Sequence, residues 1–127
     1  MAELRRIGSG GPWEVKVGYC RAVVIGGMVH VSGTVAPGPD IPEDVVDQCR
    51  AALAVIGAAL AEAGTDFAHA VRVRYILPDP ADFEPCWPLL AETFGAHPPA
   101  ATMMVAGLID PRLRIEIELD AALPDPG

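Results

Sequence analysis

Lysine occurs once, at Lys16, and the arginines are scattered. Across 127 residues nine basic side chains face seventeen acidic ones, a formal net charge of −8. The sequence pI is about 4.6. With no Lys/Arg cluster, the composition argues against a phosphate-backbone binder, which needs a basic surface. Cysteine is also scarce. Cys20, Cys49 and Cys86 are odd in number and far apart, so free thiols are expected rather than a disulfide framework. No CxxC or HxxxH spacing occurs, and His30, His69 and His97 are isolated, so structural zinc is not expected. Long apolar runs are missing: none approaches the roughly 18 to 20 residues that span a bilayer. The opening MAELRRIGSGG has two arginines but no apolar segment of the kind a signal peptide carries. The expectation is a cytoplasmic protein with neither nucleic acid nor membrane as partner.

What is present is apolar. The chain is 51% hydrophobic and its mean hydropathy is +0.32, high for a small protein. Either the core is generous or a partner subunit covers apolar surface, and the second reading is favoured. The length suits one domain, residues 1–127. Residues 1–12 read as an irregular arm, and Trp13–Val17 as more arm or a short edge strand.

Tyr19–Ile25 and Met28–Val35 are β-rich runs around Gly26-Gly27, the pattern of a tight primed-turn hairpin. Gly33 ends the second alternation. It marks a bulge or close backbone approach, or a place where free N–H groups take a carbonyl or carboxylate. After the proline-rich loop 36–42, a helix is expected. Pro42 sits near its first turn, and Glu43, Asp44 and Asp47 lie at the positive dipole end. Val46, Cys49, Leu53, Ile56 and Leu60 form its apolar stripe, and Gly64 its stop. A strand at 71–77 follows. A second helix is expected from about Asp82, its candidate N-cap, to Phe94, starting late or kinked near Trp87 because of Pro88.

Two strands close the chain. Ala101–Val105 is short and apolar. In the run 113–121, Leu113, Ile115, Ile117 and Leu119 alternate with Arg114, Glu116, Glu118 and Asp120. The charged side is either a solvated face or part of a site. The order β-β-α-β-α-β-β implies an α+β fold: a single mixed sheet with two helices on one face. Its other face, with Arg72, Arg74, Arg114, Glu116 and Glu118, is left for an oligomer to cover.

Six segments in order resemble the reactive intermediate deaminase (Rid, or YjgF) family. They are Gly18–Val23 (GYCRAV), Val29–Thr34 (VHVSGT) and Gln48–Leu53 (QCRAAL) with Ala63-Gly64. Tyr75–Asp79 (YILPD) with Ala81–Phe83 (ADF), Phe94–Ala100 (FGAHPPA) and Ile115–Glu118 (IEIE) complete the set. The resemblance implies a chorismate-mutase-like fold and a homotrimer with small-molecule clefts between subunits. The activity it implies is hydrolysis of reactive enamines and imines to 2-keto acids and ammonia, without cofactor or metal. It places the water-activating glutamate on Glu116, the tyrosine of the N-terminal motif on Tyr19, and the backbone site on Ser32 and Gly33. The arginine that grips a substrate carboxylate falls on Ala101, and the cysteine or threonine two residues on becomes Met103. The chain therefore looks like an arginine-less branch.

Arg74 is the first substitute anchor considered, ahead of Arg21, Arg72 and Arg114. The alternative is that Arg72 and Arg74 pair with Glu116 and Glu118 across strands. Trp87, Phe94, Met103 and Met104 are candidates for an apolar wall, with plain core the favoured reading for Phe94. Two functions stay open: an imine-directed hydrolase, or a non-catalytic trimer that binds a metabolite or partner. A ribonuclease reading follows only from an older label for this family, and the acidic composition opposes it.

Overall fold

Gly26 and Gly27, at φ +58° and +80°, turn the chain between β2 (Ala22–Ile25) and β3 (Met28–Thr34). Both central residues of a primed turn need that region, which only glycine enters freely. The structure, a computed structural model, describes residues 3–124. The remaining elements are β1 (Arg5–Ile7), α1 (Pro12–Val17), α2 (Val45–Ala63), β4 (Ala70–Leu77), α3 (Trp87–Phe94), β5 (Ala100–Val105) and β6 (Glu116–Ala122). They build one six-stranded sheet in the order β1-β2-β3-β6-β4-β5. The β4–β5 pair is parallel and the other pairs are antiparallel, so the sheet is mixed, as expected.

Helix α2 starts where Asp44 accepts the Asp47 N–H and ends at Gly64, φ +96°. Its apolar stripe crosses β3 and β6. Ile56 and Leu60 share one core cluster with Val29, Val73, Ile115, Ile117 and Leu119, all essentially without solvent contact. This is the hydrophobic term that holds the domain together. The alternate residues of β3, β4 and β6 point to the sheet's other face, which no helix covers. Among the described residues no helix is long and apolar enough to cross a membrane.

Three expectations need correction. Residues 5–7 of the expected arm pair with β2 as β1; residues 1–2 lie outside the described region. The segment 12–17 is helix, not edge strand: Pro12 opens it and Gly18, φ +91°, closes it, the usual proline-first, glycine-last asymmetry. Asp82 caps nothing. Two 3₁₀ turns, Pro80–Asp82 and Glu84–Cys86, precede α3, and Asp79 caps the first through the Ala81 N–H. Pro88 then falls in the first turn of α3, where a missing N–H costs little.

The Asp82 carboxylate instead holds Arg114 through two bonds, at 2.9 and 2.7 Å. Arg114 therefore leaves the uncovered face, because β6 begins only at Glu116. Buried Gln48 fixes this approach by accepting the Arg114 N–H at 2.8 Å and donating to the Pro42 and Arg112 carbonyls.

Candidate active site

Glu116 opens β6 on the uncovered face. Its partner across β4 is Ile76, whereas Arg74 stands opposite Glu118. Arg74 therefore binds Glu118, at 2.6 Å, and leaves Glu116 without a cation from that side. On β3 the register moves from Val31↔Leu119 to Thr34↔Ile117. Two residues, Ser32 and Gly33, thus oppose one on β6, which is a β-bulge. The residue they oppose is Glu118, and the Glu116 side chain reaches over Gly33 from two residues earlier on β6. A Cβ built on Gly33 would stand 2.5 Å from Glu116 Oε2 and 3.1 Å from Cδ, so the carboxylate occupies the space that glycine leaves.

Burial pushes the Glu116 carboxyl above its ordinary pKa. The charge of Glu118 adds to this and that of Arg21 opposes it. A carboxylate that is partly desolvated and more basic than usual suits proton abstraction from water. Around it, Ser32 gives its hydroxyl proton to the Cys20 carbonyl (2.7 Å) and its N–H to the Arg21 carbonyl (2.9 Å). Arg21 donates to the Gly33 carbonyl and the Thr34 hydroxyl, and Tyr19 lies against its guanidinium. Tyr19, Ser32, Gly33 and Glu116 are thus gathered at one end of the uncovered face.

The other predicted residues are elsewhere. Ala101 pairs with Val73 and Met103 with Tyr75, so both take the side of the sheet that carries the core. Met103 is nonetheless about half exposed, because β5 is an edge strand. Met104, not Met103, shares the face of Glu116, in line with Ile76. Trp87 is half exposed at the start of α3 and packs edge-on against Phe83, which lies on Tyr75. Phe94 is core: it is buried edge-to-face with Phe67, centroids 5.5 Å apart, so it cannot wall a site. Arg74 is committed to Glu118. Within one chain, then, Ala101, Met103 and Trp87 do not join Glu116.

Two contributors escape the sequence reading. Glu14 is buried although charged, and it receives the Ser9 backbone and hydroxyl while facing Arg21. Thr34, fully buried, holds the bulge through the Ser32 carbonyl and Arg21. A charged residue inside a proline-started, glycine-ended segment was the available signal for Glu14. Among the described residues no cluster of three or more His, Cys, Asp or Glu could hold a metal ion. A concavity of about 320 Å³ between 78–82 and 107–114 has none of the Glu116 group in its lining, and its Asp82 and Asp110 are already paired with Arg114 and Arg112.

Residues 13–123 match the family described as Endoribonuclease L-PSP. The chain is 34% identical over 106 residues to the mouse 2-iminobutanoate/2-iminopropanoate deaminase, covering 79% of this chain and 77% of that one. It is 33% identical to protein SCO2049 of Streptomyces coelicolor, over 93% and 91% of the two chains. The crystal structure of Rv2704 from Mycobacterium tuberculosis, a member of the YjgF/YER057c/UK114 family, superposes with a TM-score of 0.88. It is 37% identical and covers 95% of this chain and all of that one. With family match, relatives and fold in agreement, the chain belongs to the YjgF/Rid family, the one described as Endoribonuclease L-PSP.

Proposed function

We propose that the protein is a trimeric hydrolase that deaminates a small imine or enamine metabolite, or acts on a related carbonyl compound, at clefts between subunits. The observation that carries this is the Glu116 carboxylate: raised in basicity, without a salt bridge among the described residues, and seated on Gly33. Water attacks the C=N carbon while Glu116 takes its proton. That proton passes to nitrogen and gives a carbinolamine. The carbinolamine's hydroxyl proton then follows to nitrogen through the same carboxylate as C=O forms, the C–N bond breaks and ammonia leaves. The Ser32 N–H is already given to the Arg21 carbonyl, so the Gly33 N–H is the backbone donor assigned to the oxygen that gains charge. No cofactor is required.

The trimer is the assembly the family resemblance implies, and the two separated groups support contact between copies. Glu116 and Ala101/Met103 lie on opposite faces of one sheet, so they meet only if the β5 edge of one copy reaches the Glu116 face of another. A head-to-tail contact of this kind forms a ring when its rotation closes, as in the proposed trimer. The half-exposed Met103, Val105 and Trp87 supply apolar surface for it. Native mass spectrometry should show three copies; a stable monomer would undo the inter-subunit cleft.

The decisive experiment measures ammonia released from imines generated in situ by an amino-acid oxidase, with and without the protein. Acceleration supports the hydrolase. Ala101 favours the second reading, a binding trimer without chemistry, because it lacks the fork that holds a carboxylate. That reading predicts ligand-induced thermal shifts with no ammonia above background. Replacing Ala101→Arg should speed deamination of 2-imino acids at least tenfold. The estimate reflects the about 1.5–3 kcal/mol of a charge-assisted hydrogen bond.

A further inference from the structure

Arg21 precedes β2 and is only 7% exposed. A charge that deeply buried is normally paired. Its Nη1 donates to the Gly33 carbonyl at 3.0 Å and to the Thr34 hydroxyl at 2.9 Å. Its Nε lies 3.8 Å from Glu14 Oε2 and has no hydrogen-bond partner among the described residues. Its Cζ stands 5.5 Å from the centre of the Tyr19 ring. One guanidinium thus ties helix α1, Tyr19 and both residues that follow Ser32.

We propose that Arg21 is a positioning residue of the site: it clamps the bulge on which Glu116 rests and keeps a positive charge beside that carboxylate, with Glu14 as its counter-ion. This inference rests on Glu116 as the reacting group. The geometry explains why an arginine stands here. Nη1 alone serves the Gly33 carbonyl and the Thr34 hydroxyl, while Nε, fixed in the same rigid plane, faces the Glu14 carboxylate; a compact ammonium has no such spread of donors. The loose Glu14 contact leaves part of the charge available to the site. Glu116 meets few other charges. Glu118 on its own strand is taken by Arg74 of β4, and on β3 His30 is paired with Asp120 at 2.8 Å.

Two neutralising substitutions should therefore act in opposite directions. Arg21→Gln removes a cation and makes the Glu116 proton harder to lose. Glu14→Gln frees the same cation from its counter-ion and makes that proton easier to lose. The test needs no substrate. In full-length protein labelled with [¹³C]glutamate, the Glu116 carboxyl signal is identified by its loss in Glu116→Gln and titrated. The midpoint should rise in Arg21→Gln and fall in Glu14→Gln, because a positive charge facing a carboxylate favours its ionised form. The Gly33 and Thr34 amide signals should move in Arg21→Lys, which keeps the charge but loses the fork. An unchanged Glu116 midpoint in Arg21→Gln overturns the proposal. If Arg21→Gln does not fold, an unchanged or raised midpoint in Glu14→Gln overturns it. Absence of ammonia release would instead count against the hydrolase and leave these titrations unaffected.

Discussion

Glu116→Gln should lower the rate of ammonia release by about 10²–10⁴-fold, the usual worth of a positioned general base. It should also make the protein more stable at neutral pH. The two effects share one cause. Folding places the Glu116 carboxylate where burial and Glu118 disfavour its charge, so its pKa is raised. A carboxyl with a raised folded pKa contributes stability below its unfolded pKa, and loses that contribution as pH climbs through the folded value. Glutamine stays neutral throughout. The melting temperatures of mutant and wild type should therefore converge in acid and separate towards neutrality, with the mutant higher. Wild-type turnover should rise over the same interval, since the base must be ionised to act. Scanning calorimetry and ammonia assays over one pH series would check both. A mutant that keeps its rate removes Glu116 from the chemistry; one that melts lower at pH 7 removes the strain.

Gly33→Ala should cost about 10²-fold in rate and little in stability, because a misplacement of roughly 1 Å can be worth that much. Gly33 is not among the glycines with positive φ, so its backbone accepts alanine. The obstacle is the Glu116 carboxylate, 2.5 Å from the new methyl position. That group is the free end of a flexible side chain, and it can swing away without disturbing the core. Rate and melting temperature measured on the same sample separate the outcomes. Full activity would mean that the seat on Gly33 does not matter to catalysis. A large loss of stability would mean that the bulge cannot yield.

Elements that answer to a local rule were legible in the sequence. The alternation from Leu113 to Ala121 had to bury one side, and it buries Ile115, Ile117, Leu119 and Ala121. Gly26-Gly27 and Gly64 sit where positive φ is required. What failed was short or long-range. Helix α1 spans six residues, too few for a 3.6-residue period to outweigh the alternation of Trp13, Val15 and Val17. Asp82 had the chemistry of a cap, but its partner lies 32 residues away at Arg114. Glu116 and Ala101 could be placed on a common motif, yet only the strand order β6-β4-β5 and its register put them on opposite faces. For the same reason Glu116 could be named from sequence, while its seat on Gly33 could not: that contact depends on a two-against-one mismatch between distant strands.

The outer strand β5 also bears on how this chain avoids the wrong company. Ala100–Val105 contains no charge and no proline, the gatekeepers that ordinarily keep a bare edge from templating another strand. The prolines that adjoin it, Pro98 and Pro99, stand ahead of the strand. In the proposed ring this edge completes a neighbour's cleft. A lysine or proline placed within it would protect the newly made chain from aggregation and would also intrude on the reacting site. In that ring the sequence of β5 would be held between two selections, and rapid assembly, rather than a blunted edge, would be its protection.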